Sequence, residues 1–244
     1  MKITINAFLL VYLILFGLDN SYAQSSVTIY GILDQGINYV NNAQTIDASK
    51  IRTGKSQYST SSTVMAGNRL GFRGMEDLGS GYKAIFTLET GFDLNTGKLQ
   101  EGGTFLGRQV FVGISGPLGS VTLGRQYDSV VDFMLPVSGA SAAIFGGGTY
   151  TAHGNDIDNF VDTYRTNNSI KFTSSTFDGF NVSGLYSLGG ISGSFSQNSV
   201  YSFGASYTNS AIRIAAAYLK VRDPYPSAHP VLNARKRGAK VMAS

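Results

Sequence analysis

Between residues 26 and 221 the chain alternates apolar and polar side chains with period two, and this pattern constrains the fold more than any other feature. Val27, Ile29 and Leu33 share one strand face, with Thr28, Tyr30, Asp34 and Asn38 on the other. Ala84, Phe86 and Leu88 oppose Lys83, Thr87 and Glu89, and Ile170 and Phe172 oppose Arg165, Asn167, Ser169 and Lys171. Phe180, Val182, Tyr186 and Leu188 oppose Asn181, Ser183 and Ser187, and Tyr201, Phe203, Ala205 and Tyr207 oppose Ser202, Gly204, Ser206 and Thr208. No stretch of this body offers a convincing helical period, so the expected class is all-β. Nine strands are predicted, near 26–40, 66–73, 81–92, 105–115, 120–126, 164–174, 179–189, 200–208 and 211–221.

The connections alternate in length. Gly74–Ser80, Gly116–Gly119, Ser175–Gly179 and Asn209-Ser210 are short, while 41–65, 93–104, 127–163 and 190–199 are long. Short turns at one end and long loops at the other describe an antiparallel up-and-down sheet with two unlike ends, the asymmetry of a transmembrane β-barrel. An apolar face toward lipid and a polar face toward a wet lumen give the alternation, and closure satisfies the backbone groups of every strand. A secreted soluble β-sandwich that binds glycans or partners also alternates. It is disfavoured by strands of about ten residues, longer than the five to six typical of soluble sheets, and by Tyr and Phe near strand ends.

Composition removes other classes. The chain has no Cys and two His, His153 and His229, so a disulfide framework or a Cys- or His-built metal cluster is not expected, nor any cofactor. Residues 24–221 hold 13 basic and 13 acidic side chains, and the net charge of +4 comes from the tail, so no nucleic-acid partner is predicted. Enzyme chemistry finds little support. His153 lies in a long loop beside Gly154 and Asn155 and His229 in the tail, where a solvated side chain is the simpler reading, and Gly146-Gly147-Gly148 is not followed by the Lys-Ser/Thr of a phosphate loop.

The chain begins with Lys2, an apolar run from Ala7 to Leu18, and Ser21-Tyr22-Ala23. This reads as a signal peptide over 1–23, with cleavage before Gln24, rather than a membrane anchor, because the run is far short of the ~20 residues that span a bilayer. From Arg222 the alternation stops, prolines at 224, 226 and 230 intervene, and Arg235-Lys236-Arg237 follows. Residues 222–244 are therefore expected to form a disordered tail that does not belong to the sheet.

Several segments together resemble the general trimeric porin family of Gram-negative β-proteobacteria. They are Ser25-Ser26-Val27-Thr28-Ile29-Tyr30-Gly31-Ile32-Leu33-Asp34; Asn68-Arg69-Leu70-Gly71-Phe72-Arg73-Gly74-Met75-Glu76-Asp77-Leu78-Gly79; Lys83 to Glu89; and Arg108 to Gly116 followed by Val121-Thr122-Leu123-Gly124-Arg125-Gln126. The resemblance implies a sixteen-stranded antiparallel barrel of the outer membrane, assembled as a homotrimer in contact with outer-membrane lipid. About nine of its strands lie in residues 24–221, as in a C-terminally truncated family member whose residues 222–244 form a non-porin tail, and with two open sheet edges such a chain is expected to form neither stable trimers nor channels unaided. It implies passive diffusion of ions and small hydrophilic solutes through a lumen narrowed by the third long loop.

The resemblance also implies a constriction of wall arginines facing acidic loop groups. By motif position the arginines are Arg69, Arg108 and Arg165. Alternation agrees for Arg69 and Arg165, whereas Arg108 shares parity with the apolar Val110, Val112 and Ile114, a conflict that a bulge would resolve. The candidate acidic partners on the third loop are Asp128, Asp132, Asp156, Asp158 and Asp162.

Overall fold

The computed structural model describes residues 25–46, 52–137, 165–222 and 240–241. Ten strands make one sheet and two more make a separate ribbon. In chain order the strands are β1 (Ser26–Ile32), β2 (Gln35–Ile46), β3 (Arg52–Ser62), β4 (Arg69–Gly79), β5 (Tyr82–Gly91), β6 (Gln109–Gly116), β7 (Gly119–Tyr127), β8 (Arg165–Ser174), β9 (Phe180–Ser187), β10 (Val200–Thr208), β11 (Arg213–Val221) and β12 (Lys240–Val241). The sheet runs β1-β4-β5-β6-β7-β8-β9-β10-β11-β12, every pairing antiparallel and each strand beside its neighbour in sequence apart from the step from β1 to β4. This is the up-and-down order that short turns enforce. Among the described residues the sheet does not close into a barrel.

The register sorts side chains onto two faces. Val27 and Ile29, Phe72, Phe86 and Leu88, Val112, Leu123, Ile170, Tyr186, Tyr201 and Phe203 fall on one, because cross-strand partners share a face. Most of these side chains stand exposed: Ile29 is 67% exposed and Phe203 58%. A water-soluble sandwich would bury this face. A continuous apolar band spread over eight strands is instead the surface a bilayer covers. The sheet is therefore the wall of a transmembrane antiparallel barrel, and among the described residues no helix is long and apolar enough to cross a membrane.

The first predicted strand is corrected. The predicted strand 26–40 is interrupted at Leu33-Asp34, and the segment read as a loop, 41–65, holds most of a hairpin. β2 and β3 pair with each other from Gln35↔Ser62 to Ile46↔Arg52, with an irregularity between Val40 and Ala43. At the break, the Asp34 carboxylate accepts the Met65 and Ala66 N–H groups at 2.5 Å each, and the Thr63 N–H donates to the Asp34 carbonyl at 3.0 Å. The ribbon escaped the period-two reading because Thr53-Gly54-Lys55-Ser56-Gln57-Tyr58-Ser59-Thr60 is exposed on both faces, so nothing selects for alternation.

The polar face is not bare. A short helix, α1 (Ser129–Met134), follows β7 directly and folds back over β9, β10 and β11. Val130, Phe133 and Met134 pack on Val200, Ala215, Ala217 and Leu219, and these form the main buried apolar cluster among the described residues. Gly204 lies under Phe133, where a Cβ would collide with the ring. At the helix start, the Ser129 N–H donates to Ser202 Oγ at 3.0 Å, and the Ser129 and Ser183 hydroxyls lie 2.7 Å apart. The opening part of the longest connection thus lies against the polar face of the sheet. The rest, 138–164, lies outside the described residues, as do the signal-peptide expectation and most of the tail. Within the tail, Lys240–Val241 pair with Ala217 and Tyr218.

Candidate functional site: an arginine–carboxylate cluster on the polar face

At the end of the sheet that carries the long connections, three arginines gather with two glutamates and two tyrosines. Arg69 opens β4 on the polar face, opposite Gly91. It is half-buried, and its Nε donates to the Gly67 carbonyl at 2.9 Å. It stands within electrostatic reach of Arg108, Glu89 and Arg165. Arg108 is 6% exposed and Glu89 3%, and Arg108 Nε donates to Glu89 Oε1 at 2.6 Å. The same guanidinium reaches Glu101 Oε1 at 3.5 Å and the Tyr127 hydroxyl at 2.9 Å. Arg165 donates to Tyr127 at 2.7 Å, stacks 4.8 Å above its ring, and comes within 3.6 Å of Glu101 Oε1. Tyr30 donates to the second Glu89 oxygen at 2.9 Å.

Two glycines make room for this. A Cβ on Gly67 would stand 2.8 Å from the Arg108 guanidinium, and one on Gly91 would stand 3.2 Å from Arg108 Cδ and collide with the Glu101 carboxylate. Both positions are closed to larger side chains by the cluster itself.

The parity conflict at Arg108 is resolved by a strand end, not by a bulge beside it. β6 begins at Gln109, and Arg108 follows Leu106, whose φ of 54° turns the chain. Outside the pleat, its side chain is free to swing over Gly91 to the polar face. The bulge lies elsewhere, where Gly124↔Ser169 is followed by Gln126↔Thr166. Alternation counted back from Ser169 is therefore interrupted before Arg165, whose place in the cluster rests on its contacts with Tyr127 and Glu101.

Among the described residues, the expected partners Asp128 and Asp132 stand away from the arginines. Asp128 is fully buried and caps α1, accepting the Val130 N–H at 2.6 Å and the Val131 N–H at 3.1 Å. Burial pushes its carboxyl up to about 7, against the pull of those two N–H groups. Asp132 faces Lys171, which also donates to the Tyr127 carbonyl at 2.9 Å, and burial raises the Asp132 carboxyl against the attraction of that lysine. Neither Asp meets an arginine, because the helix that carries them turns one toward its own backbone and the other toward β8. Asp156, Asp158 and Asp162 lie outside the described residues. The partners observed are Glu89, on the polar face of β5, and Glu101, in the second long connection. Glu89 was legible as a carboxylate on the polar face of a strand; Glu101 had no sequence signal beyond its charge.

The comparisons with known proteins fit this geometry. A family model described as Gram-negative porin matches residues 20–242. The chain belongs to the Gram-negative porin family. It is 32% identical over 182 residues to an outer membrane porin protein of Bordetella pertussis, covering 72% of this chain and 44% of that protein. It is 30% identical over 193 residues to the major outer membrane protein P.IB of Neisseria gonorrhoeae, covering 77% and 50%. Among solved structures it resembles the anion-selective porin from Comamonas acidovorans, with a TM-score of 0.61 and 28% identity, covering 82% of this chain and 59% of that one. The chain spans about half the length of the curated relatives it matches. As a porin-family sheet, its polar face is the face that lines a lumen.

Proposed function

We propose that this chain supplies part of the wall and constriction of an outer-membrane porin, through which ions and small hydrophilic solutes diffuse passively. The observation that carries the reading is the meeting of Arg108 and Arg165 on one carboxylate oxygen of Glu101, beside Arg69, on the face that bears the folded-back helix. Charges lining a narrow passage steer permeating ions. Arg69, Arg108 and Arg165 carry one more formal charge than Glu89 and Glu101, so anions are favoured. Assembly as a homotrimer in outer-membrane lipid, after removal of a signal peptide, belongs to the same reading, and the activity is transport rather than enzyme catalysis. The porin relatives and the exposed apolar band favour it over a secreted soluble binding module.

Reversal potentials in planar bilayers test it, in channels built from this sequence with the strands needed to close the barrel supplied. Arg69→Glu and Arg165→Glu are each expected to shift selectivity toward cations. Unchanged potentials in both variants would remove the cluster from the conducting path.

A further inference from the structure

We infer that Gln100 and Asn95 are positioning residues: they tie the second long connection to the base of the β2–β3 ribbon and so hold the Glu101 carboxylate over Arg108 and Arg165. The inference rests on the reading of that cluster as the constriction.

Glu101 does not hold itself in place. It opens a 3-10 turn, Glu101–Gly103, with φ of 50°, a left-handed conformation that a residue with a Cβ adopts only at a cost. Gly102 and Gly103 follow at φ of 73° and 83°, with no side chains of their own to anchor the turn. Its ion pairs, at 3.5 and 3.6 Å, are longer than direct hydrogen bonds and grip the carboxylate weakly.

The restraint comes from the preceding residues. The Gln100 N–H donates to the Gly91 carbonyl at 2.9 Å, and its side-chain Nε2 donates to Thr63 Oγ1 at 3.1 Å. The Leu94 N–H donates to Ser62 Oγ at 2.9 Å. Asn95 Oδ1 accepts Gln35 Nε2 at 2.6 Å and the Thr60 hydroxyl at 2.8 Å, from the two strands of the ribbon. Ser62 and Thr63 are oriented in turn by Asn68, fully buried, whose Nδ2 donates to their hydroxyls at 2.8 and 3.2 Å. A continuous run of side chains therefore leads from Asn68, beside Arg69, through Thr63 and Gln100 to Glu101. Fixed donors and acceptors of this kind set where a charged group spends its time.

Two measurements test the assignment. In the detergent-refolded chain, hydrogen exchange follows the Gly103 and Gly107 N–H groups, bonded to the carbonyls of Gln100 and Thr104. Gln100→Leu and Thr63→Val, which remove opposite ends of one bond, are each expected to speed that exchange at least several-fold, whereas Thr63→Ser, which keeps the hydroxyl, leaves it unchanged. In bilayers with the closed barrel, Glu101→Gln should shift the reversal potential toward anions. Gln100→Leu should give a smaller shift of the same sign, and no further shift in the Glu101→Gln background. An additive shift, or exchange as slow as in the parent chain, overturns the positioning role while leaving the constriction reading intact. No shift from Glu101→Gln itself overturns both.

Discussion

Two patches of the polar face, a few strands apart, are built on opposite principles. Across the ends of β4 to β8 that carry the long connections, the face is charged, and its order comes from a few directional bonds among Arg108, Glu89, Glu101, Arg165 and Tyr127. Across β9 to β11, the same face is lined by Ser183, Ser202, Gly204, Ala215, Ala217 and Leu219, and its order comes from close packing under α1. In the first patch, a carboxylate and a guanidinium are nearly removed from water and neither tolerates loss of the other. In the second, small side chains let a helix approach closely, and volume decides what is tolerated. The contrast shows how one strand pattern accommodates two kinds of order: directional charge pairs in one place, and small residues where a helix must lie flat in the other.

The largest expected effect breaks the charged patch. Arg108→Ala leaves Glu89 buried without its closest partner, and removing one member of a buried pair costs roughly 3–5 kcal/mol. Guanidinium unfolding in detergent should show the loss, and Glu89→Gln in the same background should recover part of it. Next comes the packed patch. Gly204→Val drives a side chain into the Phe133 ring, an overpacking worth about 1–3 kcal/mol, and should lift α1 from the sheet. New chymotryptic cleavage at Phe133 in α1, with β10 beneath it still protected, is the readout; persisting protection of Phe133 would show that the sheet yields instead.

Two smaller effects sharpen the comparison. Tyr127→Phe removes a hydroxyl that accepts bonds from both Arg108 and Arg165, and should cost about 1 kcal/mol while leaving Arg108–Glu89 in place. The last concerns the response to pH. Asp128 stands at about 7 in the folded chain against 3.8 when unperturbed, so between those values the folded state keeps a proton that the unfolded chain has released. Stability therefore falls as pH rises through that interval and levels off above about 7. Asp128→Asn keeps a competent cap without the titration. It should flatten that fall in a pH series of thermal unfolding midpoints, whereas Arg108→Ala should leave the slope intact.

How much was legible in advance follows from which interactions are periodic. Alternation and turn length announced β5 to β11, the apolar band and the two unlike ends, because a strand in a bilayer must satisfy its backbone in the ladder and present one face to lipid; of β4 they announced only the first half, and Gly74–Gly79, read as a turn, continues the strand. The same argument put Arg69 on the polar face. It failed at β3, where water bathes both faces and selects no pattern. A quieter signal was available for the helix site: in β11, Ile214, Ala216 and Tyr218 are apolar on one face, and Ala215, Ala217 and Leu219 on the other. A wall strand apolar on both faces has something covering its lumen side.

The sequence by itself determined the class, the strand order and the sign of each face, since these depend on neighbours one or two residues apart and on turns too short to reach anywhere else. Only the tertiary structure decided which carboxylates meet the arginines. Glu101 reaches Arg108 and Arg165 through a left-handed turn pinned by Thr63 and the ribbon, and Asp128 and Asp132 are drawn away by a helix that caps itself on one and meets Lys171 with the other. Those choices depend on where three long connections come to rest together, and a pattern of period two carries no record of that.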